Sequence, residues 1–416
     1  MLITREMLNS PEMLGMRRLP TAAAFYHFNS VEDAKKVKKE FSPAVTVLDG
    51  NWKFCYTDSP EKLGKDIVSP KHDTSDWKDV VVPDCWSMHE KADPPHYTNI
   101  KMPFDAPIPE IPEKNPTGIY RRTFEFNRSG KAVSAILHFD GAESFFAVYV
   151  NGKFAGCSKD SRGSTEFDIT GLVQNGTNHL AVIVVKWSDA TWIEDQDHWY
   201  LPGLSRSVAL YTIPRYRVND IDCQTTLDDT YTTGIIDGEV LVSVPAKDRK
   251  CPKVNVKLFS PDDKCVWQGT ASPKVRFTGS GDWWFDHSDE ERTAFVFHAK
   301  ISGVQKWSAE TPNLYTVIIE YKSSNSTLRD ISSVRVGFRR YEIKSRELLI
   351  NGKAVLICGV NRHDHHEYKG KAVPYETMKR DVELMKQFNI NPFHTISILW
   401  TSLPVFICAC DLSIST

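Results

Sequence analysis

Three acids crowd into four positions of the run WIEDQDHWYLPG: Glu194, Asp195 and Asp197, with Trp192 and Trp199 on either side. In an extended segment alternate residues share a face, so Asp195 and Asp197 go with Ile193 and Trp199, while Glu194, Gln196 and His198 point the other way. A carboxylate beside an indole suits a ligand whose hydroxyl edges want acceptors and whose CH faces pack on aromatic rings. Sugars offer that surface. The plainer alternative is a solvated turn with tryptophans in the core, and on this motif alone it stands ahead. A second run, PHYTNIKMPF (95–104) with KNPTGIYRRTF (114–124), reads as a long shaped loop whose amide, Asn99, can donate and accept. Here the plainer reading is an irregular crossover pinned by prolines. The third run, GVNRHDHHEYKG (359–370), gathers Arg362, His363, Asp364, His365 and His366. Imidazoles and a carboxylate can ligate metals. The spacing, however, matches no H-x-E or HExxH motif, and adjacent His365 and His366 cannot both face one ion from a regular strand. Substrate contact ranks above structural histidines, and both above a metal.

These runs need elements to hold them. After an N-terminal extension over 1–44, residues 45–213 are short apolar runs broken by turn residues. Asn151-Gly152, between SFFAVYV and KFAG, is a strong hairpin signal. Many strands without a convincing amphipathic helix predict an antiparallel sandwich whose loops supply any binding site. The pattern restarts near Pro214, and strands from RVNDIDCQTTL to SSVRVGF predict an immunoglobulin-like sandwich over 214–337. Beyond Gly337, LLINGKAVLICGVNRH reads as a hairpin feeding a buried strand. PYETMKRDVELMKQF reads as a helix with Pro374 in its first turn and an apolar face of Met378, Val382, Met385 and Phe388. Strand then helix is the opening unit of an α/β fold, with NINPFHTISILW as the next strand. A (β/α)8 barrel needs roughly 250 residues, so residues 338–391 can form only its start.

Composition excludes several classes. The chain has 51 basic and 53 acidic residues, a formal net charge of −2, 41% hydrophobic and 25% charged residues. No global field favours nucleic acid or an anionic membrane, so a neutral partner is expected. No stretch approaches the roughly 18 apolar residues of a membrane span. The N-terminus carries Arg5 and Glu6 before any apolar run and does not read as a secretory signal. Nine cysteines without a CxxC pair predict neither a disulfide framework nor a zinc ribbon, which suits the reducing cytoplasm.

Taken in order, YTN, NPTG-x-Y, SFFAVYVNGKFAG, IEDQD-x-W, VGFR and GVNRHDHH resemble glycoside hydrolase family 2, most closely its β-galactosidases of the yeast and fungal intracellular type. The resemblance runs from about Arg18 to Asn391. It implies a mainly β chain: a jelly-roll sugar-binding sandwich, an immunoglobulin-like sandwich, then the start of an incomplete (β/α)8 TIM barrel. It further implies that Asn99 and Asp197 contact galactose, that Asp197 also ligates sodium, and that His363 contacts the galactosyl group as charge develops. The implied substrate is a galactoside such as lactose, hydrolysed with retention; the implied state of intact members is a homo-oligomer.

Departures from the family pattern matter equally. A retaining glycosidase needs two carboxylates about 5 Å apart. In this family the acid/base follows an Asn and the nucleophile lies in a Glu-Tyr-Gly-His-like run. The sequence contains no Asn-Glu dipeptide, and its Glu367-Tyr368 directly follows the RHDHH run rather than ending a late strand. Both catalytic glutamates, and the ligands of the family's magnesium ion, are therefore expected to be absent. Activity is not expected of this chain alone; a non-catalytic galactoside-binding protein or a complementation fragment is the alternative. The family pattern stops near Pro392, and the tail 392–416 reads as divergent text, as a frameshift, retained intron or gene-model error would produce.

Overall fold

The computed structural model describes residues 2–99, 101–128, 133–194, 197–245, 252–277, 290–322, 329–391 and 393–395. The first sandwich pairs a seven-stranded with a four-stranded antiparallel sheet. The larger runs in the order Gly15–Met16, Lys153–Ser158, Phe145–Val150, Gly176–Val185, Thr117–Phe126, Gly50–Thr57, Lys78–Val82; the smaller runs Thr165–Asp168, Val133–Phe139, Val208–Pro214, Val45–Val47. Between them lies a core of Trp52, Phe54, Trp86, Tyr120, Phe139, Phe146 and Phe167. The other face of the larger sheet is buried too: Ile119, Phe145, Ala147, Tyr149, Ile183 and Val185 pack beneath Met7, Leu8 and Ile111. Cover on both faces is why Phe145–Val150 and the second half of Gly176–Val185 read as unbroken apolar runs rather than alternating ones. The hairpin at Asn151-Gly152 forms with positive φ at both residues, 52° and 78°, as a two-residue turn of matching twist requires.

The second sandwich has sheets ordered Val218–Leu227, Thr233–Pro245, Glu290–Ser302, Ser272–Phe277 and Cys265–Thr270, Lys253–Phe259, Tyr315–Lys322, Arg329–Val336, Tyr26–Phe28. Its core is Val240, Val256, Phe295, Val317, Tyr321 and Phe338. Cys265–Thr270 went unread in the sequence because its residues are mostly solvent-facing, which hides any alternation.

The first 44 residues do more than extend the first sandwich. Gly15–Met16 adds a strand to its larger sheet, and Tyr26–Phe28 adds one to the second sandwich. His27 Nδ1 lies 2.8 Å from Asp330 Oδ1, and the other Asp330 oxygen accepts from Val218 N–H at 2.8 Å. One buried carboxylate thus ties the N-terminal strap to the start of the second sandwich.

Beyond the second sandwich, the hairpin Tyr341–Lys344, Glu347–Ile350 and Lys353–Ala354 is followed by strand Val360–Arg362, helix Tyr375–Gln387 and strand Phe393–Thr395. The last strand runs parallel to Val360–Arg362. This is the expected β-α-β unit, with Pro374 just ahead of the helix. The strand expected to be buried is not: Val360 is 37% exposed, and Leu356 and Ile357 before it are 79% and 62% exposed. It pairs on one edge only among the described residues, and of its three residues Arg362 alone is buried. Helix face residue Val382 is buried, whereas Phe388 is 74% exposed. Apart from Phe393–Thr395, the divergent tail lies outside the described residues.

Candidate active site

The proline-rich loop and the acidic run meet through their backbones. Tyr200 N–H donates to His96 C=O at 2.8 Å, an isolated bridge that sets the residues after His96 opposite those before Tyr200. Beneath it, Asn115 of the NPTG run is a pin rather than a ligand. Its amide nitrogen donates to Trp187 C=O at 2.9 Å and its amide oxygen accepts Trp187 N–H at 3.0 Å, both buried. Trp187 in turn packs edge-on to Tyr200 and Phe104, with ring centroids 5.1 and 5.3 Å away.

The run is not extended as expected but a 3-10 turn, Asp189–Trp192, followed by bends, yet the described residues divide between exposed and buried as expected. Ile193 is 84% and Trp199 39% exposed, and Asp197 is exposed with them, while His198 is 5% exposed and Glu194 is half-buried. Asp195 and Gln196 lie outside the described residues. The Tyr97 phenol donates to Asp197 Oδ1, and the Asn99 amide donates to the same phenol. That carboxylate holds the phenol above its usual pKa. The Tyr97 and Trp199 rings stand 5.4 Å apart. Asn99 and Asp197, far apart in the chain, therefore converge on Tyr97, a residue that no local pattern singles out.

The RHDHH run completes the wall. Arg362 and Asp364 are buried and structural: Arg362 bonds Asp364 and Asp381 of the helix, and Arg206 of the first sandwich approaches Asp364 at 3.5 Å. His363 and His365 turn toward the first sandwich instead. The His363 ring stands edge-to-face with His198 at 4.8 Å, and His365 stacks over Trp199 at 6.4 Å and 18°. His198 Nδ1 accepts Trp199 N–H at 2.7 Å, which leaves its proton on Nε2, a buried atom without a hydrogen-bond partner. Burial, then the nearby Lys371 and Arg162 charges, push its pKa down to about 3, so the ring is neutral. Lys371 forms an ion pair with Glu143, both about 10% exposed, and so ties the segment after RHDHH to the sandwich. Chemically, the cleft offers a carboxylate, a phenol, an amide, an indole face and two imidazoles. It offers no pair of facing carboxylates among the described residues.

A sodium ion at Asp197 would need several oxygen donors. Asp197 already accepts from Tyr97, and no group of three or more His, Cys, Asp or Glu gathers among the described residues. These residues alone do not make a complete ion site. A larger cavity, about 1140 Å³, lies between residues 19–27, the four-stranded sheet and the Tyr375–Gln387 helix. None of Asn99, Asp197 and His363 lines it.

Three models match in succession: the sugar binding domain of glycosyl hydrolases family 2 over residues 45–214, glycosyl hydrolases family 2 over 216–339, and the TIM barrel domain of glycosyl hydrolases family 2 over 341–397. The chain belongs to glycosyl hydrolases family 2. Among relatives, a β-galactosidase of Alteromonas mediterranea is 37% identical over 354 residues, 84% of this chain and 33% of that protein. One of Kluyveromyces lactis is 34% identical over 396 residues, 93% of this chain and 37% of that protein. The chain thus spans about a third of the length of such relatives. Two solved structures share the fold. A β-glycosidase from Bacteroides vulgatus has TM-score 0.65 and 22% identity, covering 85% of this chain and 41% of that one. A Bacteroides uniformis β-glucuronidase has TM-score 0.67 and 20% identity, covering 84% and 39%. The family assignment agrees with the expected order of two sandwiches and a barrel start.

Proposed function

We propose that the cleft binds a terminal β-galactosyl group, as in lactose, and that it is the sugar-holding part of a retaining β-galactosidase. The observation that carries this reading is the convergence of Asn99 and Asp197 on the Tyr97 phenol, with the Trp199 face beside them. Asp197 accepts from sugar hydroxyls, Asn99 donates and accepts, and Trp199 packs on the CH face. His363, edge-to-face with the neutral His198 ring beside Trp199, is the residue that meets the galactosyl group in this reading. Support comes from the β-galactosidase relatives. Neither sodium nor magnesium has a proposed ligand set among the described residues of this chain. A reducing compartment such as the cytoplasm fits the free cysteines, six among the described residues; no helix described is long and apolar enough to cross a membrane.

In this reading the 416-residue chain binds but does not hydrolyse, since it carries no Asn-Glu pair and its Glu367 sits on an exposed turn. Incubating the purified chain with a nitrophenyl β-galactoside tests this. Buffer-level release is expected, and turnover that survives repurification overturns it. Mixing the chain with separately expressed barrel residues of a relative separates the alternatives; restored activity favours the complementation alternative over a lectin-like role.

A further inference from the structure

We propose that Glu143 is the positioning residue that sets the width of the sugar cleft: its one buried carboxylate holds a different wall with each oxygen. The inference rests on the sugar-binding reading of the cleft, in which both walls carry groups that meet the ligand.

The two walls come from distant parts of the chain. One is the segment 197–203, which carries Asp197, Trp199 and the backbone bridge from Tyr200 to His96. The other is the segment 363–371, which carries His363 and His365. They touch at their rings, His363 on His198 and His365 on Trp199, with centroids 4.8 and 6.4 Å apart. Ring pairs are favourable over a range of separations, about 4.5–7 Å, so these contacts do not fix the spacing by themselves.

Glu143 supplies the stiffer tie. Its backbone bridges Gly203, with N–H to C=O distances of 3.2 and 3.4 Å in the two directions. Its Oε1 accepts Leu201 N–H at 3.2 Å, and its Oε2 accepts from the Lys371 ammonium. Lys371 follows Gly370, which exchanges two backbone hydrogen bonds with His366, at 2.8 and 2.9 Å. The path from Glu143 to His365 therefore runs through a closed turn rather than a free loop. At the same junction Leu201, Cys85 and Ala372 form one apolar cluster. A Cβ on Gly370 would stand 2.7 Å from Leu201 Cδ1, so the two walls meet there without a gap. Glu143, Lys371, His198, Trp199 and Tyr200 line one small chamber, and the tie thus adjoins the rings it serves.

The chemistry of the tie suits a spacer. The Glu143 and Lys371 side chains are 9% and 10% exposed, and burying such a pair adds little net stability by itself. What it adds is direction: a short charge-assisted bond to one wall and a main-chain bond to the other. Neither wall shifts without breaking one of them. Hydrogen bonds to sugar hydroxyls weaken beyond about 3.2 Å, so a ligand gripped from both walls needs that spacing held.

The test is the double variant Glu143→Gln with Lys371→Met in the full chain. It cuts the tie between the walls without leaving a buried charge, and the new amide oxygen can still accept Leu201 N–H. Hydrogen exchange read by mass spectrometry should show about tenfold less protection over 363–372, while strand Phe145–Val150 keeps its protection and so reports a folded sandwich. Affinity for methyl β-galactoside, measured by calorimetry, should fall about tenfold, the worth of one or two hydrogen bonds. Lys371→Arg, which restores a cationic donor, should hold both readouts within about threefold of wild type. Unchanged protection over 363–372 in the double variant overturns the proposal, as does unchanged affinity once that protection has fallen. A Lys371→Arg chain no better than the double variant, or loss of protection in Phe145–Val150, also overturns it, because the pair would then serve the fold rather than the spacing. If wild type binds no galactoside the sugar reading falls, and the tie stands or falls on the protection of 363–372 alone.

Discussion

His138 offers a sharp test of the forces in the first sandwich. Its Nδ1 lies 2.9 Å from Glu166 Oε1 and its Nε2 lies 2.8 Å from Asp140 Oδ1, with the Tyr211 ring stacked on it at 5.0 Å. Both nitrogens face carboxylates, so both must donate, and the ring is an imidazolium. Burial alone would lower its pKa, but the two carboxylates overcome that and raise it to about 10 from 6.5. Because the folded value lies above the unfolded one, the stabilisation is complete below pH 6.5 and is lost as pH rises from 6.5 to 10. At about 1.4 kcal/mol per unit the shift corresponds to about 4–5 kcal/mol. Asp140 and Glu166 are each only about 30% exposed at the side chain, but both can turn toward the adjoining cavity once the ring is neutral, so about 2–4 kcal/mol should be measured. The perturbation is His138→Gln, and the assay is urea unfolding followed by hydrogen exchange of strand Val133–Phe139, which isolates the first sandwich from the rest of a multidomain chain. The stability difference between wild type and variant should be large at pH 6 and shrink steadily toward pH 10. A difference that stays constant across that window would refute the reasoning, because it would assign the effect to packing against Tyr211 rather than to charge.

Other consequences can be checked with single variants. Tyr97→Phe removes the phenol that joins Asn99 to Asp197 and should weaken galactose binding about 2–10-fold by calorimetry while leaving the fold intact. Lys186→Met leaves Asp93 buried with Trp86 and Ser87 as its donors among the described residues, and should lower the stability of the first sandwich by about 3–5 kcal/mol in thermal unfolding. Gly118→Ala puts a methyl 2.7 Å from the Trp86 ring and 2.8 Å from Phe54, so chemical denaturation should show a loss of about 1–3 kcal/mol.

The fold was legible where local rules act alone. Asn151-Gly152 announced its hairpin through the backbone angles only such residues adopt easily, and Pro374 with the Met378-Val382-Met385 spacing announced its helix. What local rules missed was long-range cover. Nothing in Gly15–Met16 or Tyr26–Phe28 tells that one strap will close a sheet in each sandwich, since two or three residues carry no period. Nor could spacing foresee that Val360 and Asn361 would stay exposed while Arg362 is buried, because a strand's burial depends on neighbours distant in the chain. At the site, Asp197 and Trp199 are exposed and His198 buried as expected, although the run is a 3-10 turn and bends rather than the extended segment that alternation assumed. The residues it failed to single out act through tertiary contacts: Tyr97 between two loops, Ser161 under Glu194, and Lys371 against Glu143.

The most direct test of the account is the dissociation constant of methyl β-galactoside for the full chain, measured by calorimetry at pH 5.5 beside its glucoside epimer and repeated in Asp197→Ala. The account predicts saturable galactoside binding, weaker glucoside binding, and loss of at least about tenfold in affinity on removing the carboxylate, as expected for a charged acceptor. Equal affinity of wild type and Asp197→Ala, or no saturable binding by wild type, would contradict it.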